Sequence, residues 1–319
     1  MRRTTLIAAL LFLPAATLHA QNYPARPVRM IIPFTAGSAA DIIARAMEPA
    51  LRERLGQPLV IDNRGGAGGN IAAEQTAKSA PDGYTLMMAT IGTHAINLAL
   101  YAKLPYHPQR DFTPVALVGE SPNVLVVHPS VPVKSIRELI ALARSKPGQL
   151  NLATAGPGSA SHLAGVYFNA LAGVSAVTVH YKGGSAATIS IVSGESQYLI
   201  TPTPAVYGQI RAGRLKAIAT GGERRAAQLP QVPTVEESGI AGYRSVGWSG
   251  LLMPKGVPPE IPALIAARLA EVIATNNVRE PIINAGGEPA LLAGDDFARF
   301  IQDELKRFGA AAKAAGLKP

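Results

Sequence analysis

The residues in this chain best placed to hold a ligand are not acids, bases or nucleophiles. They are two runs of small residues some 120 positions apart, Met30-Ile-Ile-Pro-Phe-Thr-Ala-Gly-Ser-Ala-Ala-Asp41 and Leu150-Asn-Leu-Ala-Thr-Ala-Gly-Pro-Gly-Ser-Ala-Ser-His162. Each reads as a short apolar strand that breaks into a turn and opens a helix. Such a junction aims unpaired backbone N–H groups and the positive helix end at whatever lies above the strand. Small residues let a ligand approach the backbone closely. One junction of this kind is routine in an α/β protein, but two in similar halves describe a jaw for a small anion. The amides of Gly37-Ser38 and Gly158-Ser159 are the ones expected to grip it.

Other chemistries find less support. The histidines (His19, His94, His107, His128, His162 and His180) show no metal spacing, and the chain has no cysteine. Disulfides, thiolate metal sites and a lipoprotein anchor are therefore excluded, and neither metal nor cofactor is expected. No Gly-x-Ser-x-Gly occurs, and Ser159 and Ser161 beside His162 read as first-turn helix residues. Gly156-Pro-Gly158 opens a helix after a strand, but the third glycine of a dinucleotide fingerprint is Ser161. Gly208 to Arg214 has Walker-like glycine spacing with Arg in place of Lys. No pair of carboxylates stands at a strand end as acid/base catalysis would want. A small, neutral, backbone-rich cleft suits binding rather than turnover, so the chain is not expected to be an enzyme.

The elements that must position these junctions follow from length and pattern. A chain of 319 residues, 48% hydrophobic and 16% charged, is long enough for two domains with substantial cores. The net charge of +9 is spread out, with Arg224-Arg225 the only arginine pair after the leader and no aromatic-basic interleaving. Nucleic acid is therefore not an expected partner. Residues 1–20 read as a signal peptide: Arg2 and Arg3, an apolar run from Leu6 to Leu18, and a cut near Ala20. The expected location is the periplasm.

From Val28 apolar runs alternate with helical stretches, the signature of βαβ units. Strands are expected at Val28–Pro33, Leu59–Asp62 and Tyr84–Ala89, with a helix from Ser38 to Leu55 capped by Ser38 and Asp41. An extended stretch, Phe112–Val118, is expected to break at Ser121-Pro122 before a fresh strand, Asn123–Val127. The second half repeats the alternation, with strands near 150–155, 176–180, 197–200 and 215–220. Tyr243–Met253 is again extended, and the last helices, Ile261–Ala274 and Phe297–Ala314, have no sheet of their own. The expected organisation is a first domain over 21–121, a second over 122–247, and a return of 248–319 to the first. Two extended crossings make this a hinged clam, with the ligand outside the carboxyl ends of the strands.

At the level of motifs the chain resembles the periplasmic receptors of tripartite tricarboxylate transporters, the Bug or TctC family. The resemblance rests on Tyr23-Pro-Ala-Arg-Pro27, Pro33 to Asp41, Asn63-Arg-Gly-Gly-Ala-Gly-Gly-Asn70, Ala80-Pro-Asp-Gly-Tyr84 and Thr93-His-Ala-Ile-Asn97. It continues through Ala155 to Leu163, His180-Tyr-Lys-Gly183 and Leu229-Pro-Gln-Val-Pro-Thr234, and spans residues 22–319. It implies a two-domain, type II periplasmic-binding-protein fold that closes on a small carboxylate. It also implies a monomer that hands its ligand to transporter subunits in the membrane. A periplasmic sensor for a signalling partner is the alternative, and an enzyme of unknown chemistry a distant third.

Carried over residue by residue, the first clamp is Phe34, Thr35, Ala36, Gly37, Ser38 and Asp41. The second is Gly156, Gly158, Ser159, Ala160, Ser161 and His162, with Thr93 and Tyr181 beside it. Two departures stand out. Gly37-Ser38 replaces the family's usual Gly-Gly, and Thr201-Pro-Thr-Pro204 stands where an Asp is common. That Asp could serve an amino group, so its replacement by Thr201 implies an amine-free acid.

Overall fold

The computed structural model describes residues 23–314, and the expected leader lies outside them. The first half alternates as its pattern requires: β1 (Val28–Ile32), α1 (Ala39–Leu55), β2 (Leu59–Asn63), α2 (Asn70–Ala77) and β3 (Thr85–Thr90). β1 pairs in parallel with β2 and β3 and is buried on both faces, which accounts for its continuous apolar sequence. Its side chains alternate: Met30 and Ile32 join Ile43, Met47 and Leu51 of α1 in one cluster, while Ile31 faces another around Trp248 and Phe297. Burying each large apolar side chain of α1 contributes about 1.5–3 kcal/mol, so the helix is fixed tightly on the sheet.

After a turn of wide helix at Gly92–Ile96 and α3 (Asn97–Leu100), the chain enters β4 (Phe112–Val127). Here the structure corrects the expected break at Ser121-Pro122, because β4 runs unbroken for 16 residues. Pro122 is tolerated because β4 changes partners there. Phe112 to Pro122 pairs with β9 (Val246–Pro254), whereas Asn123 to Val127 lies between β7 (Tyr198–Pro202) and β8 (Lys216–Thr220).

The second half comprises α4 (Ile136–Ser145), β5 (Asn151–Thr154), α5 (Ala160–Ala172), β6 (Val177–His180), α6 (Gly184–Val192), β7, α7 (Tyr207–Arg211) and β8. Leu152, Phe168, Tyr198 and Tyr243 anchor its core on one face, and Ala153, Ile191 and Leu199 on the other. After β9 come α8 (Glu260–Ile273), α9 (Asn276–Asn284), β10 (Glu288–Ala293) and α10 (Gly294–Ala314). Ile261, Ile265 and Leu269 of α8 pack into the α1 cluster, so the tail does return to the first half. The strand order is β2-β1-β3-β9-β4-β7-β5-β6, with β8 and β10 also on β4. β4 and β9 are the elements that run between the two halves of the molecule.

Candidate functional site

The two strand–helix junctions are built alike. Gly37 (φ +80°) and Gly158 (φ +76°) take the left-handed conformation that favours glycine. Ser38 and Ser159 follow as N-caps in nearly the same extended conformation (φ −71° and −73°, ψ 159° for both). Ser38 Oγ accepts from the Asp41 amide at 3.3 Å, and Ser159 Oγ from the His162 amide at 3.2 Å. The residue three positions after each cap then reaches back: Asp41 Oδ2 accepts from the Gly37 amide at 2.9 Å, and His162 Nδ1 from the Gly158 amide at 3.3 Å. His162 is thus the counterpart of Asp41.

This bonding corrects the expected grip. The amides of Gly37, Ser38, Gly158 and Ser159 are all spent inside the junctions, those of the serines on Thr35 O and Gly156 O at 3.2 Å each. At these two junctions, the helix-starting amides without an internal partner are those of Ala39 and Ala40 and of Ala160 and Ser161. These are the first two positions of each helix, which no intrahelical acceptor can serve. All four residues line one cavity between the halves. Ala39 and Ala40 were missed in the sequence, although the rule that a cap consumes the third amide and spares the first two would have found them.

Opposite the helix ends, the cavity is floored by strands: Thr90 and Ile91 at the end of β3, Ser121 on β4, Thr201 and Pro202 on β7, and Gly247, Trp248 and Ser249 on β9. Trp248, the chain's only tryptophan, is buried and donates from Nε1 to Glu304 at 3.0 Å. No charged side chain is found among the lining residues described. The positive field in the cavity comes from two helix ends, each equivalent to about half an elementary charge.

The remaining expected residues fall into three places. Phe34, Ser38, Ser159, Ala160, Ser161 and Thr201 line the inner cavity. Phe34 also borders an outer chamber with Thr35, Gly156 and Tyr181, beside Lys182 and Gly65 to Gly68. The Tyr181 hydroxyl bonds to Glu195 (2.9 Å) and Ser196 (3.0 Å), away from the inner cavity. Asp41 is buried behind the first junction, held by Arg45 and Asn63 at 3.0 Å each as well as by Gly37. Burial alone would raise its pKa, but these donors outweigh it and lower it. Burial, reinforced by the neighbouring His180, pushes His162 down to about 4, consistent with a neutral ring accepting from Gly158. Thr93 is fully buried, its hydroxyl bonded to Thr90 and His94, and lines neither space. Ala36 is exposed and lines neither space, and its carbonyl accepts from Ser185 Oγ.

The halves touch across the cavity. Ser185 Oγ of α6 donates to Ala36 O at 2.7 Å, and Tyr101, just after α3, donates to Pro157 O at 3.1 Å. Gly158 abuts Asn97 so closely that a Cβ there would stand 2.3 Å from Asn97 Oδ1. The jaws are closed.

Comparison with known proteins places this architecture. A family model described as the tripartite tricarboxylate transporter family receptor matches residues 43–317. The protein BugT of Bordetella pertussis is 36% identical over 305 residues, covering 95% of this chain and 94% of BugT. Among solved structures, R. palustris Rpa4515 with adipate superposes with a TM-score of 0.91 at 35% identity, covering 93% of this chain and 99% of that one. MatC from Rhodopseudomonas palustris with bound malate gives 0.86 at 33% identity, covering 91% and 99%. With fold, paired junctions and this match over most of its length, the chain belongs to the receptor family of the tripartite tricarboxylate transporters.

Proposed function

We propose that this chain is a periplasmic, non-enzymatic receptor that captures a small carboxylate between the N-termini of α1 and α5. The observation that carries the reading is the convergence of four unpaired amides, those of Ala39, Ala40, Ala160 and Ser161, on one cavity. A carboxylate offers about four lone-pair sites on two oxygens, and two helix ends supply about one positive charge. The match is one head group to one pair of jaws. The adipate and malate bound to related receptors support the same ligand class.

In this reading the lobes are residues 21–121 with 248–319, and 122–247, and the chain acts as an exported monomer after removal of residues 1–20. It delivers its ligand to the membrane subunits of a tripartite tricarboxylate transporter. Thr201 on the cavity floor leaves an α-ammonium group without a counter-charge, which favours amine-free acids over aspartate and glutamate. The deciding experiment is mass spectrometry of small molecules released by unfolding the purified protein, followed by calorimetric titration of the refolded, emptied protein with the acids found. Stoichiometric binding of an intact carboxylate is expected. Release of a chemically altered product in repeated turnover would overturn the proposal, whereas binding of amino acids ahead of every amine-free acid would overturn only the reading of Thr201.

A further inference from the structure

Resting on that reading, we infer that the end of the second half farthest from the cavity docks on anionic phospholipid headgroups of the membrane where the ligand is unloaded. Basic residues that are scattered along the sequence gather there. Residues 122–247 hold eleven lysines and arginines against five acids, whereas the rest of the chain after residue 20 is nearly balanced, with seventeen against sixteen. β7 runs from Tyr198 at the outer end to Thr201 on the cavity floor. Tyr198 pairs with Val127 and Val127 with Lys216, so β8 starts at the same outer end. The Lys216 ammonium donates to Val131 O (2.9 Å) and Val133 O (3.2 Å), which brings Lys134 beside it. Arg137 lies in the first turn of α4, and Arg211 and Arg214 in the tight turn that leads into β8.

This arrangement is unfavourable for the fold on its own. Lys134, Arg137, Arg211 and Arg214 are exposed. The ion pairs of this half run elsewhere, Arg225 to Glu237 and Arg244 to Glu223, and among the described residues none reaches these four. Glu138 is the only acid in segments 128–138 and 211–216, and it is turned onto the Lys134 amide at 2.7 Å. Glu195 is engaged by the Tyr181 hydroxyl. Lys134 and Arg137 also flank Ser135, the N-cap of α4, where the positive helix end disfavours cations. Local rules broken together in one place mark a functional surface, and the chemistry that answers it is anionic. A protein partner would need an apolar or aromatic anchor at the centre of the patch. Among the described residues, none of the large exposed apolar side chains lies in these two segments. A basic cluster without an anchor adsorbs reversibly to anionic headgroups, gaining about fivefold per Lys or Arg. Lying away from the cavity, it leaves the jaws free.

The test is co-sedimentation of the purified mature protein with vesicles of phosphatidylglycerol and phosphatidylethanolamine, compared with vesicles of phosphatidylcholine alone. Binding to the anionic vesicles at low salt is expected, with none to phosphatidylcholine and progressive loss as salt is added. The triple variant Arg137→Gln/Arg211→Gln/Arg214→Gln should lower partitioning at least tenfold. Its melting temperature and its carboxylate affinity in calorimetry should match those of the unmodified protein. Lys216 is left in place because its amine holds two carbonyls. Lys103→Gln/Lys255→Gln/Arg279→Gln removes the same charge from exposed positions in the other half and should leave partitioning nearly unchanged. Equal loss in both triples would mean that net charge alone draws the protein to lipid. No binding to anionic vesicles at low salt would mean that the patch meets something other than lipid. Either result overturns the inference and leaves the receptor reading intact, which fails only if the same preparation binds no carboxylate.

Discussion

Gly158→Ala separates the fold of the jaws from their closure. The added methyl group would stand 2.3 Å from Asn97 Oδ1 and 3.0 Å from the Tyr101 ring, both across the cleft. Asn97 cannot swing aside, because its buried amide donates to Gly68 O (3.0 Å) and Asn70 Oδ1 (2.6 Å). Reaching the 3.4 Å of an ordinary contact needs 3.4 − 2.3 = 1.1 Å of retreat, which pulls Tyr101 off Pro157 O. Alanine at a positive φ also costs about 1–2 kcal/mol on its own. Gly148→Ala measures that cost alone, since Gly148 has φ +69° and nothing within 4 Å of its would-be Cβ. Both variants should lose similar stability in thermal melts. Only Gly158→Ala should weaken carboxylate binding, by more than tenfold in calorimetry, since each 1.4 kcal/mol lost from the closed form is a factor of ten. Equal affinity in the two variants would refute the view that this closed arrangement is the ligand-bound one. The sequence marks Gly158 as a place where a ligand can approach the backbone; in the structure what approaches it is the opposite jaw, at Asn97 and Tyr101.

Other outcomes follow from the same geometry. Tyr101→Phe and Ser185→Ala each remove one neutral hydrogen bond across the cleft. Each should raise the dissociation constant about two- to tenfold, chiefly through faster release in stopped-flow experiments. For pH, the folded His162 titrates near 4 and the unfolded one near 6.5, so the unfolded chain binds more protons between those values. The contribution of His162 should be full above about pH 6.5 and decline as pH falls toward 4. His162→Gln should therefore flatten the melting temperature over that window, and an unchanged slope would assign the loss elsewhere. Thr201→Asp places a carboxylate on the floor and should shift preference toward α-amino acids, tested by titrating glutamate against an amine-free acid of equal length. Trp248 should report occupancy, and ligand addition should change its fluorescence.

The capping serines were legible in the sequence because a cap is a local rule: Ser38 and Ser159 stand where strand pattern gives way to helix pattern. That the Gly37 and Gly158 amides are already taken was not, since that depends on Asp41 and His162 turning back onto them. The floor was the least legible part. Thr90, Ser121, Thr201 and Ser249 come from four strands, and only the pairing of β3 with β9 and of β9 and β7 with β4 brings them together. Thr201 was singled out, but through the family resemblance. Pro122 misled because proline ends most strands, whereas here it marks a change of partner. α9 and β10 escaped notice because α9 buries only Val278 and Ile282 and β10 is a short, half-exposed strand.

The twin junctions bear on symmetry. Each contributes a glycine, a serine cap and two free amides in nearly the same conformation to one cavity, so the clamp is one local design used twice. A carboxylate group is twofold symmetric, and a doubled clamp can hold it without knowing what molecule is attached. Everything that tells one acid from another must then come from the asymmetric wall the two jaws do not share. Grip and identity reside in different parts of the molecule, so the strands of the floor can be rewritten for a new ligand while the helix ends stay as they are.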